Sequence, residues 1–131
     1  MDVVFINPNS SAKAYQDLAL TYSAIEPPTW ALLLAQACRS KNYEVAILDC
    51  DAERLSRQDS LQRIEDLKPR LICFVVYGQN PNSGTTSMIG ATALGAYIRD
   101  HAPEYPISFV GSHISALPKD VLNYPFVDFV L

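Results

Sequence analysis

Long apolar runs are missing from this sequence. No stretch of the 131-residue chain approaches the ~20 consecutive apolar residues that a membrane span needs. Nor does a basic region precede an apolar run at the N-terminus, so the chain does not open as a signal peptide, and the cytoplasm is the expected compartment. Basic charge is also short. Lys and Arg number 10 against 14 Asp and Glu, for a net charge of −4. Without a clustered basic face to neutralise phosphates, a nucleic-acid partner is excluded. The three cysteines, Cys38, Cys50 and Cys73, have no CxxC or other metal-ligand spacing. Each lies in an apolar or strand-like run and reads as a small buried hydrophobe in a reducing compartment. A nucleotide site would show GxGxxG after the first strand, or a Walker loop, and neither is present. A phosphorylated receiver would need acids at the ends of the first and third strands, where Asn7 and Tyr77 stand instead.

What is present is enough apolar sequence, 49%, for one domain spanning residues 1–131 with a core that needs no metal or disulfide. Five runs rich in Val, Ile and Phe recur: Asp2–Asn7, Glu44–Asp49, Arg70–Tyr77, Pro106–Gly111 and Val127–Leu131. Three are continuously apolar, the pattern of strands buried on both faces of a parallel sheet. Helix-period segments separate them. The first starts at Thr29, with Pro28 near its start and Trp30, Leu33, Leu34, Ala37 and Cys38 as its inner face. It is apolar nearly all round, which predicts cover on both sides. The second spans Ser60–Leu67 and stops at Pro69. The third runs from Thr85 to His101 with Met88, Ala91, Leu94 and Ile98 inward, and a short fourth lies within Leu117–Tyr124. Strands alternating with helices predict an α/β, Rossmann-like (flavodoxin-like) domain. Its five parallel strands should take the order 2-1-3-4-5, with helices on both faces. The irregular stretch from Asn7 to Pro27 is long enough to be functional or partly helical.

In such a sheet ligands bind outside the carboxyl ends of the strands. The connections expected there are "NPNSS", "YGQNPNSG" and "GSHIS", whereas "RSKNYE", "EDLKPR" and "DHAPEYP" at the other end carry the charge. A polar, largely uncharged edge suits a ligand that offers amides and hydroxyls rather than phosphates. Gly90 and Gly95 stand inside the third helix, where each costs up to ~1 kcal/mol against Ala. They predict either tight helix–sheet packing or a slot for a flat ligand tail.

These residues resemble a known family over essentially the whole chain. "VVFINPN", "EPPTWALLLAQACRSKNYEVAILDCDA", "LKPRLICFVVYGQNPNS" and "VGSHISALPKDVLNYPFVDFVL" are similar, in order, to the N-terminal cobalamin-binding domain of cobalamin-dependent radical S-adenosylmethionine enzymes. The last stretch, with its G-x-H-x-S-x-L-P pattern, is the most specific. Three positions depart from the pattern: Asn42 where Gly is commoner, Val110 for the first of two glycines, and Lys119 for an acid. There is no CxxxCxxC, so an iron–sulfur cluster and S-adenosylmethionine would belong to a downstream part of the polypeptide. The final strand begins and stops, which fits a domain cut from a longer chain that continues into a radical domain. DxHxxG is absent too. The resemblance therefore implies cobalamin bound with its tail base displaced and no His on the metal, in support of methyl transfer. It implies a site at Asn7, Tyr77, Gly78, Gln79, Asn80, Ser83, Gly90, Gly111, Ser112, His113, Ser115 and Leu117, with no catalytic residue and Gly90 beside the tail slot. His113 then either donates to a corrin amide or holds its loop. Two other readings stay open: a docking module that keeps the fold without the cofactor, and a flavodoxin-like domain for another small ligand.

Overall fold

The computed structural model describes residues 1–9, 25–77 and 81–131, with 81–86 described by backbone alone. Five strands, β1 (Val3–Asn7), β2 (Val45–Asp49), β3 (Leu71–Val76), β4 (Ile107–Gly111) and β5 (Phe129–Val130), form one sheet. Its order is β2-β1-β3-β4-β5, and every neighbouring pair is parallel. The expected order and strand direction are both present. In register, Phe5 lies beside Ile47 and Cys73, and Val76 beside Gly111.

This order fixes where the helices go. Only the step from β1 to β2 moves one way across the sheet, and the other three move the opposite way. Right-handed crossovers therefore put the first described helix, α1 (Thr29–Arg39), on one face and all later helices on the other. The packing agrees. Under α1 lie Phe5, Cys73 and Val75 with Ala31 and Ala35. The other face carries Val4, Ile6, Ile72, Phe74, Ile107 and Phe109. They are covered by α2 (Arg57–Leu67), α3 (Pro81–His101), α4 (Ser112–Ala116) and α5 (Pro118–Leu122). Phe74 and Phe109 stack there with ring centroids 4.8 Å apart.

Three expectations need correction. The inner face of α1 is Ala31, Leu34, Ala35 and Cys38, whereas Trp30, Leu33 and Ala37 are exposed. Small Ala side chains let the helix lie close on the sheet, and that rotates the larger Trp30 and Leu33 outward. Second, α2 begins at Arg57, because Ser56 caps it by accepting from the Asp59 amide at 3.1 Å and donating to the Asp59 carboxylate at 2.6 Å. Third, α3 begins at Pro81, since a proline fits a helix start. The stretch between Asn7 and Pro27, expected to be functional or partly helical, falls largely outside the described residues.

Two details explain sequence departures. Asn42 has φ 65° in the turn from α1 to β2, a conformation Asn tolerates where Gly would be the default. Val110 sits half-buried on the α1 face of the sheet, so it does not intrude on the end of β4. At the amino edge, Arg99 bonds Asp128 at 2.6 Å and the Phe126 carbonyl at 3.2 Å, while the Asp128 carboxylate accepts from the Ile107 amide at 2.7 Å. That clip holds β5 against β4 and the end of α3.

Candidate functional site

The topology gathers Asn7, Tyr77 and Gly111 at the carboxyl ends of the adjacent strands β1, β3 and β4. Asn7 is half-buried and spoken for. Its Nδ2 donates to Asp49 Oδ1 at 2.8 Å, and its carbonyl accepts from the Cys50 amide at 3.0 Å. Asp49 accepts a second bond from the Ala52 amide at 3.1 Å. The Asn7–Asp49 pair thus ties the ends of β1 and β2 into one rim.

Gly111 is required by its neighbour. It has φ 156°, and a Cβ there would stand 2.2 Å from the Val76 carbonyl oxygen. No other residue fits without pushing β3 and β4 apart. The absent side chain lets the chain turn at once out of β4 into α4. The stretch predicted as the loop "GSHIS" is therefore helical, which corrects the expectation. Ile114 is buried beneath it, and the Leu117 amide donates to the His113 carbonyl at 3.0 Å to close the turn. Burial of Ile114 is the physical reason the segment winds up rather than staying open. Ser112 and His113 are half-buried, while Ser115 and Leu117 are exposed. Gly90 is buried within α3. Its helix-mate Gly95 packs so tightly that a Cβ would meet the Phe126 ring at 2.8 Å, so close packing accounts for Gly95. Gly78, Gln79 and Asn80 lie outside the described residues, as does the side chain of Ser83.

The edge is less neutral than the three connections suggest, because the end of β2 brings Asp49 and Asp51 to it. Among the described residues Asp51 Oδ1 is buried with no hydrogen-bond partner, so a donor such as an amide N–H would satisfy it. Beside it Cys50 is buried. Burial pushes its thiol up to about 11 despite the bond that Ser60 Oγ donates to Sγ at 3.5 Å. On the α1 side, Trp30 stacks on Tyr77 with centroids 4.7 Å apart and planes 25° from parallel. Sequence reasoning missed Trp30. The signal was available, because crossover helices run antiparallel to the strands and their first turns stand at the carboxyl edge.

Among the described residues no group of three or more His, Cys, Asp or Glu could hold a metal ion. No helix among them is long and apolar enough to cross a membrane.

An open parallel sheet with a glycine-pinched, amide- and hydroxyl-bearing carboxyl edge defines a ligand-binding α/β domain of the doubly wound class. The family model of the B12 binding domain matches residues 15–131. The chain belongs to that family, and cobalamin is the cofactor the membership supports. No curated protein and no solved structure matches the chain. The residues fit such a group. Corrinoids present a flat ring rimmed with amides, and this edge supplies a stacked aromatic pair, Ser and His side chains and an orphaned carboxylate oxygen.

Proposed function

We propose that this domain binds cobalamin across the carboxyl ends of β1, β3 and β4, with the tail base displaced and no histidine on the cobalt. The family match over residues 15–131 supports cobalamin as the ligand, and the absence of DxHxxG from the sequence is the ground for proposing a displaced base without a histidine ligand. When bound, the corrinoid would supply methyl-group chemistry to a radical S-adenosylmethionine domain of the same polypeptide. The domain itself would not be catalytic, and its residues would bind and orient the group. Gly111 would bring the β4 backbone close to the ligand. Ser112, His113 and Ser115 would offer hydrogen bonds to the amide rim, joined by Asn7, by Tyr77, Gly78, Gln79, Asn80 and Ser83 after β3, and by Leu117. Gly90 would border the space for the displaced base. The iron–sulfur cluster and S-adenosylmethionine would belong wholly to the radical domain.

A docking module without the cofactor is the competing reading, and the departures at Val110 and Lys119 are what favour it. Val110 packs on the sheet face, away from the edge, and Lys119 is exposed on α5. The test is to mix the folded chain with hydroxocobalamin, desalt it and record the visible spectrum. Retained corrin absorbance with a base-off spectrum is expected. A well-folded sample that retains no corrin would overturn the proposal, and a base-on or histidine-ligated spectrum would overturn its coordination claim.

A further inference from the structure

Trp30 is the single tryptophan of the chain and stands in the first turn of α1, at the same end of the sheet as Asn7, Tyr77 and Gly111. It is 48% exposed and is not a member of the apolar cluster under α1. Its ring contact is with Tyr77, the residue immediately after β3. A large indole held in one orientation, yet contributing little to the core, is poor economy for stability alone. It is well suited to a ligand, because the stack restricts its side-chain freedom before anything binds. The first turn of α1 carries no acidic residue, and Leu33, one turn on, is also exposed.

We infer that Trp30, braced by Tyr77, is a ligand-binding residue that packs against a flat, apolar part of the corrinoid and extends the site from the strand ends onto α1. The inference rests on the cobalamin reading. The apolar surface could be the corrin ring edge or the displaced aromatic base, and the two are separable. Cobinamide has the ring without the base.

Equilibrium dialysis of the full chain with hydroxocobalamin and with cobinamide tests the inference, using Trp30→Leu and Trp30→Phe. Both variants should fold, since the residue is half exposed, and circular dichroism checks this. Loss of the aromatic face in Trp30→Leu should weaken cobalamin about 10-fold, while Trp30→Phe should stay within about 3-fold of the parent. An equal loss with cobinamide assigns the contact to the ring, and a loss confined to cobalamin assigns it to the base. Parent-like affinity of folded Trp30→Leu for both ligands would overturn the inference while leaving cobalamin binding intact, as expected if Trp30 faced a protein partner instead. If the unsubstituted chain bound neither ligand, the cobalamin reading would fail and this inference with it.

Discussion

The two faces of the sheet are built on different scales. Under α2 to α5 the sheet meets a deep layer in which Phe74, Phe109, Ile98, Ile114 and Val121 are almost fully shielded, and the Phe126 ring, tilted 47° to that of Phe109, extends it. Among the described residues the opposite face is thinner: one helix covers β2, β1 and β3 through small side chains, Ala31 and Ala35. Over the far strands Phe129 and Leu131 stay exposed and Val110 is only half-buried. The strand order causes this asymmetry, since three of the four crossovers share one side. The shielded aromatic layer therefore lies on one face, and the α1 face carries the exposed Trp30, stacked on half-buried Tyr77, at the carboxyl edge.

Adjacent residues of β4 break the comparison most directly, because Phe109 and Val110 point to opposite faces. Phe109→Ala should cost about 4 kcal/mol of unfolding free energy, and Val110→Ala less than about 1 kcal/mol. Urea denaturation of the two variants measures the difference, and equal costs would mean that the α1 face is as tightly packed as the other.

The glycines give the next-largest contrast. Gly111→Ala drives a methyl group into the Val76 carbonyl, a backbone atom that cannot yield, and should cost about 3 kcal/mol. Gly95→Ala meets only the edge of the Phe126 ring, which can rotate, and the gain of up to ~1 kcal/mol in helix propensity offsets part of the clash. Its net cost should be about 1 kcal/mol or less, read from the same denaturation series.

Most of the architecture was legible because two periodicities, strand and helix, are written in residues that must be buried. The continuous runs in β1, β3 and β4 have the pattern of strands buried on both faces, and with helices between them five such strands fit the order 2-1-3-4-5. The rotation of α1 was not legible. A helix apolar nearly all round, as in "TWALLLAQAC", leaves its inner face to be decided by which small residues let it approach the sheet. The helical winding of "GSHIS" was hidden as well, since it depends on Ile114 reaching a core built by distant strands and on Gly111 meeting Val76. At the site, turn-forming residues announced the carboxyl edge. The Asn7–Asp49 bond and the Trp30–Tyr77 stack join residues more than forty positions apart and leave no local pattern to read.

The smallest expected effect sharpens the comparison through two thiols. Cys50 lies in the deep layer and Cys73 under α1, and burial raises both to about 11 from 9.0. The fold favours the protonated thiol in each case. Their contribution is thus fully present below pH 9 and falls as pH rises toward 11, where the unfolded chain holds fewer protons than the native one. Urea midpoints should decline across that window, and changing both residues to Ala should flatten the decline. A thiol reagent applied to the native protein at pH 8 separates the faces themselves. Half-buried Cys38 should react first. Cys50 and Cys73, matched in burial and acidity, can then be labelled only through opening of the layer above each. A single small-residue helix should open more readily than the aromatic layer, so Cys73 should be labelled before Cys50. The reverse order would show that the thin face is the more firmly closed of the two.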